Sequence, residues 1–122
     1  MGSEKIYNVI DKTGNIPIQN RIVDLMYADM FIGVGSGLAW LAWAVGTPVT
    51  MISGFSAPWC EFDNIRIYND NVCSGCFNDL KYEFDKGDWK WCPRNKNFEC
   101  TKSITPQKVI NEIEKYMYNK YK

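Results

Sequence analysis

Histidine is missing from this chain. Its absence removes the commonest general base and every His-containing metal site, the two-Cys two-His finger among them. Ser-His and Cys-His nucleophile pairs go with it. Chemistry by the chain itself would rest on carboxylates, a thiol or a metal. A charge surplus is missing too, since Lys+Arg 14 equals Asp+Glu 14. Binding by phosphate neutralisation needs a basic excess or stripe, so nucleic acid is not an expected partner. No apolar run reaches the ~18–20 residues of a membrane helix, and the longest, residues 37–45, is about half that. Residues 1–5 (MGSEK) lack the charged-then-apolar pattern of a secretion signal, which predicts a cytoplasmic protein.

What is present is enough for one domain with a small satellite: 122 residues, 46% hydrophobic and 15% aromatic. Residues 6–10 (IYNVI) read as a short strand, followed by turn material around Gly14. Residues 17–28 read as a helix opened by Pro17, with Ile18, Ile22, Leu25 and Met26 as its apolar stripe. Residues 30–34 (MFIGV) form an apolar run without alternation, which predicts a parallel strand covered on both faces. Gly35-Ser36-Gly37 breaks it. A helix follows, with Leu38, Leu41, Ala42 and Val45 on one face, stopped by Gly46 and Pro48. Residues 48–53 make the next strand, so the pattern is a βαβ unit with a tight glycine turn. A further short strand is expected at residues 65–68.

The expected fold class is α/β: a partial Rossmann-like parallel sheet over residues 1–68, a loop-rich extension over 69–104 and a C-terminal helix over 105–122. Thr105 and Pro106 supply that helix with a cap and a first-turn proline. Val109, Ile110, Ile113, Tyr116 and Met117 form its apolar stripe.

Two constellations carry chemistry. Cys73, Cys76, Cys92 and Cys100 have the spacing C-x2-C-x15-C-x7-C. Four thiolates can close a tetrahedral shell around iron or zinc, leaving no open position for substrate. Disulfides or unpaired thiols are the alternatives. Trp59, Trp89 and Trp91 are expected to shield the metal, and Cys60 to be a packed thiol. The second constellation is the glycine turn. Backbone N–H groups at Ser36, Gly37 and Leu38 open a helix and could face a diphosphate, with Ser36 as cap or donor. A tight turn with a capping serine and no ligand fits the same residues. Trp40 lies about one turn on and could stack on a sugar or base, or pack under a neighbouring loop or another subunit.

The stretch ADMFIGVGSGLAWLAWAVGTP, residues 28–48, resembles the donor-binding segment of heptosyltransferases. The segments Cys73-x2-Cys76-Phe77-Asn78-Asp79, Asp88-Trp89-x-Trp91-Cys92-Pro93 and Phe98-Glu99-Cys100-Thr101 narrow the likeness to the protein O-heptosyltransferases of autotransporter adhesins. That resemblance implies the C-terminal, ADP-heptose-binding part of a two-domain GT-B enzyme. Gly35, Ser36, Gly37, Leu38 and Trp40 would then hold the nucleotide sugar, and Cys73, Cys76, Cys92 and Cys100 would hold ferric iron, with zinc as alternative. Gly35 stands where general heptosyltransferases have an aspartate, and Trp40 where they have a histidine. The acceptor, an adhesin Ser or Thr, and the catalytic base would engage the rest of such an enzyme, so this chain alone implies an incomplete one. A homo-oligomer is compatible with this reading. The rivals are a metal-stabilised binding or assembly module without catalysis, and a small electron-transfer protein.

Overall fold

The computed structural model describes residues 7–82 and 91–120. Among the described residues three parallel strands form the sheet in the order β1-β2-β3, with β1 at Phe31–Val34, β2 at Val49–Ile52 and β3 at Ile65–Ile67. Phe31 stands beside Val49, and Thr50 beside Ile65. Helix α1 covers Ile18–Met26 and α2 covers Gly37–Ala44. A short helix α3, Glu99–Lys102, precedes α4, Pro106–Lys120. The predicted βαβ unit is therefore present, from β1 through α2 to β2.

The boundaries of α2 follow from backbone chemistry. Gly46 takes φ +83°, and its N–H reaches Trp43 O while Thr47 N–H reaches Ala42 O. This pair of bonds is a Schellman ending, which needs a residue at ease in the left-handed region. Thr47 Oγ1 then donates to Leu25 O at 2.5 Å, pinning the end of α1 to the end of α2. At α4, Lys108 N–H reaches Thr105 Oγ1 at 3.2 Å, the expected cap.

Side chains alternate across the sheet. Val49 and Met51 join Leu25, Ala39 and Ala42 in the core between the sheet and α2, with Phe31, Leu41, Val45 and Phe62 at its margin. Thr50 and Ile67 are buried on the other face, where α4 meets β3. Close approach of α2 depends on the small Ala39 and Ala42, both 0% exposed.

Four expectations change. Residues 7–10 are turn and bend, not strand; Ile6 lies outside the described residues. Asn8 sits at φ 61°, which breaks an extended run. β1 is covered on one face only. It is an edge strand, α2 lies on the Phe31 side, and Ile32 and Val34 are exposed on the other. In α1, Leu25 is buried while Ile18 and Met26 are exposed. Leu38 and Ile110 are likewise exposed; Ala39 takes the buried place beside Ala42. No described helix is long and apolar enough to cross a membrane.

Candidate donor-binding cavity and cysteine cluster

In parallel α/β sheets the carboxyl ends of the strands, where loops diverge, are the ligand side. A cavity of about 360 Å³ lies there. Val34 and Gly35 enter it from β1, Ile52 and Ser53 from β2. Phe55 and Ser56 come from the loop after β2, and Phe77 and Thr101 from the cysteine-bearing extension. A larger hollow of about 610 Å³ is lined by α4 and the Thr105 that precedes it; it is a groove along one helix and converges on no loop ends.

Gly35 opens directly into the amino end of α2. Ser36 occupies the N-cap position in extended conformation, but its hydroxyl makes no capping bond. The first intrahelical bond is Trp40 N–H to Ser36 O. The N–H groups of Gly37, Leu38 and Ala39 precede it and have no partner within the helix. Neither Gly35 nor Gly37 has a positive φ. A Cβ at Gly37 would meet nothing within 4 Å, and one at Gly35 would meet only Met51 Sδ, at an ordinary 3.7 Å. The fold itself therefore gives no reason for glycine at either position. Gly35, Ser36, Gly37 and Leu38 are all exposed.

Trp40 stands elsewhere. Its ring packs on Phe62 at 4.8 Å and on Trp43 at 5.9 Å, beside the helix, and it does not line the cavity. Trp40 is nonetheless 47% exposed.

The extension is tied to the same loop. Gly75 N–H bonds Gly54 O at 2.8 Å, and Phe77 N–H bonds Phe55 O at 3.1 Å. Gly54 has φ +139°, and a Cβ there would lie 2.8 Å from Cys100 O. Only glycine meets both conditions. Gly75, inside the Cys73-Ser74-Gly75-Cys76 knuckle, takes φ +73° and opens the short 3-10 turn Cys76–Asn78.

The thiols sense one another. Burial pushes the Cys76 thiol up, and the neighbouring Cys100 and Cys92 add to it against the opposing Arg94 charge. Burial also raises Cys73, helped by a hydrogen bond to Glu99, by the Glu99 charge and by Cys100. Glu99 is held below its usual range by the backbone N–H and thiol of Cys73. Burial acts on Cys92 as well, but the backbone N–H groups of Phe98, Lys96, Arg94 and Asn95 outweigh it and lower that thiol. One of these, Lys96 N–H, lies 3.4 Å from Cys92 Sγ. A sulfur ringed by backbone donors is one set up to carry negative charge. Among the described residues, however, no three Cys, Asp or Glu side chains are gathered closely enough to hold an ion as they lie. All five cysteines are unpaired, so the disulfide alternative is not realised. Cys60 is half-buried, with Ala57 O at 3.1 Å and Asn78 Oδ1 at 3.3 Å as the two acceptors its single S–H can reach, in keeping with a packed thiol. Trp59 is 76% exposed and screens nothing; Trp91 is more covered, at 39%, and Trp89 lies outside the described residues.

One cluster escaped the sequence reading. Ser53 and Ser56 both donate to Glu61 Oε1, at 2.8 and 2.7 Å, and Arg66 Nε faces Glu61 Oε2 at 3.3 Å. The available signal was a charged residue within a short apolar strand, Ile65-Arg66-Ile67.

No protein-family model matches the chain. The autotransporter heptosyltransferase BAHTCr of Citrobacter rodentium is 48% identical over 110 residues, 86% of this chain and 27% of that protein. TibC of Escherichia coli O78:H11, also an autotransporter heptosyltransferase, matches at 48% over the same shares. The chain's relatives are autotransporter heptosyltransferases. A crystal structure of dodecameric, iron-containing heptosyltransferase TibC with ADP-D-β-D-heptose superposes with a TM-score of 0.86. That match has 44% identity and covers 93% of this chain and 32% of TibC. BimC of Burkholderia thailandensis, an inactive autotransporter heptosyltransferase, is 42% identical over 102 residues. The chain thus spans about 27% of the length of the first two autotransporter heptosyltransferases.

Proposed function

We propose that this chain is the nucleotide-sugar-binding portion, from the C-terminal domain, of a protein heptosyltransferase. The observation that carries the reading is the pair of glycines, Gly35 and Gly37, that no internal contact or backbone angle requires. They flank an uncommitted serine at the amino end of a helix, beside a cavity. An absent Cβ there lets a ligand's backbone-facing oxygens come close. The N–H groups of Gly37 and Leu38, with Ser36, would hold the diphosphate of ADP-heptose. In a complete enzyme they would stabilise the charge that grows on the leaving diphosphate as the sugar departs. A base outside this chain would activate an adhesin Ser or Thr hydroxyl. Trp40, 47% exposed one turn along α2, would stack on the sugar or base.

Residues 69–104 serve as a metal-ordered extension in this reading. Cys73, Cys76, Cys92 and Cys100 would hold the ion, and iron is favoured because TibC is iron-containing. The lowered Cys92 thiol, with Lys96 N 3.4 Å from its sulfur, suits a thiolate ligand. Such a set is closed and supplies order, with no chemistry at the sugar. Phe77 and Thr101, each one residue from a ligand, would be fixed as cavity walls by it.

The likeness to inactive BimC favours a second reading, a non-catalytic binding module. Calorimetric titration of the chain with ADP separates the two. Saturable heat at micromolar to millimolar ADP is expected for the donor-binding portion; none at millimolar ADP favours the module.

A further inference from the structure

We propose that the cavity beyond Gly35 is a subsite for sugar hydroxyls, in which Ser53 and Ser56 act as hydrogen-bond acceptors because Glu61 holds their O–H groups. The proposal rests on the donor-binding reading and names which part of the donor enters the cavity.

A serine hydroxyl has one proton and two lone pairs. Both serines spend that proton on the same oxygen, Glu61 Oε1, at 2.8 and 2.7 Å. The Glu61 side chain is only 7% exposed, so it has no easy alternative in water. Arg66 fixes the arrangement from behind. Its Nε lies 3.3 Å from Glu61 Oε2 as a charge contact without hydrogen-bond alignment, its Nη2 donates to Ser56 O at 2.9 Å, and its guanidinium lies over the Tyr68 ring. Both serines line the cavity, so what they can offer a guest is lone pairs.

That polarity selects. An ionised phosphate also presents only acceptors, and acceptor against acceptor repels. A sugar O–H supplies the missing proton. Ile52, Phe55 and Phe77 on the surrounding walls suit the C–H faces of a sugar ring. The two ends of the site thus differ in kind. Amide donors at α2 receive the diphosphate, and the serine lone pairs receive the polyol attached to it.

The test compares ADP with ADP-D-β-D-heptose by calorimetry on the full chain, for the unaltered protein and for Ser56→Ala. The unaltered protein should bind the sugar nucleotide more tightly than ADP. Ser56→Ala should weaken ADP-heptose about fivefold to tenfold and leave ADP within about twofold, and Ser56→Thr should restore the difference. A serine that merely braces the loop would weaken both ligands alike or neither, and either result overturns the proposal. ADP binding with no gain from the heptose overturns it while sparing the donor-binding reading; absence of ADP binding overturns both. If Ser56→Ala fails to melt cooperatively, Ser53→Ala in the same comparison gives the decision.

Discussion

At Gly37 a methyl group would meet nothing within 4 Å, and the residue opens a helix. Gly37→Ala should therefore stabilise the fold, by about 0.4–1 kcal/mol, through the unfolded chain. The same methyl would intrude on a bound diphosphate. ADP affinity should fall about tenfold or more, equivalent to roughly 1.4 kcal/mol. Urea unfolding and calorimetry on one preparation check both signs, and a variant more stable with unchanged ADP affinity would remove Gly37 from the site. Gly54 behaves oppositely. A methyl there would press on Cys100 O from a backbone angle that disfavours side chains. Gly54→Ala should cost about 2 kcal/mol or more, read as a lower urea midpoint. The sequence allowed Gly37 to be singled out, because it punctuates a strand-to-helix junction. Gly54 was invisible in that way; its constraint is a carbonyl 46 positions away in the chain, at Cys100. Ser53, Ser56 and Glu61 were hidden for the same reason, since their meaning lies in who shares one carboxylate oxygen.

Among the elements, those with local punctuation were legible. Gly46 and Pro48 marked the end of α2, and the Schellman bonds from Gly46 and Thr47 are the physical content of that mark. Gly46→Ala forces a side chain to φ +83° and should cost about 1 kcal/mol, seen as a drop in Tm. Thr105 and Pro106 marked the start of α4 equally well. Elements defined by partners were not legible. Residues 7–10 have strand composition, but no described strand receives them. The apolar run of β1 predicted cover on both faces, yet Ile32 and Val34 are exposed, at 50% and 58%. An edge strand with an uncovered apolar face invites association. Ile32→Lys should leave Tm nearly unchanged and lower the particle mass seen by light scattering at high protein concentration. A marked loss of Tm would mean that the face is packed.

For the whole molecule, the cysteine extension and the sheet act together through the loop after β2. Gly54 and Phe55 carbonyls receive N–H groups from the extension, and the extension returns Phe77 and Thr101 to the cavity. If the proposed ion orders the extension, its loss should loosen the cavity as well. The purified chain should contain one metal per molecule, coloured if ferric thiolate and colourless if zinc. Cys100→Ser should lose that metal and about 4 kcal/mol or more of stability, with weaker ADP-heptose binding alongside. Metal retained at full stoichiometry in that variant would exclude Cys100 as a ligand. Cysteine spacing suggested a donor set, whereas the placing of Phe77 and Thr101 at the cavity is a property of the fold alone. The most direct measurement is an amide-resolved NMR titration of the chain with ADP. Saturable shifts concentrated on Gly35, Ser36, Gly37 and Leu38 are the predicted result. Shifts confined to other surfaces, or none at millimolar ADP, would contradict the assignment of this helix start as the diphosphate site.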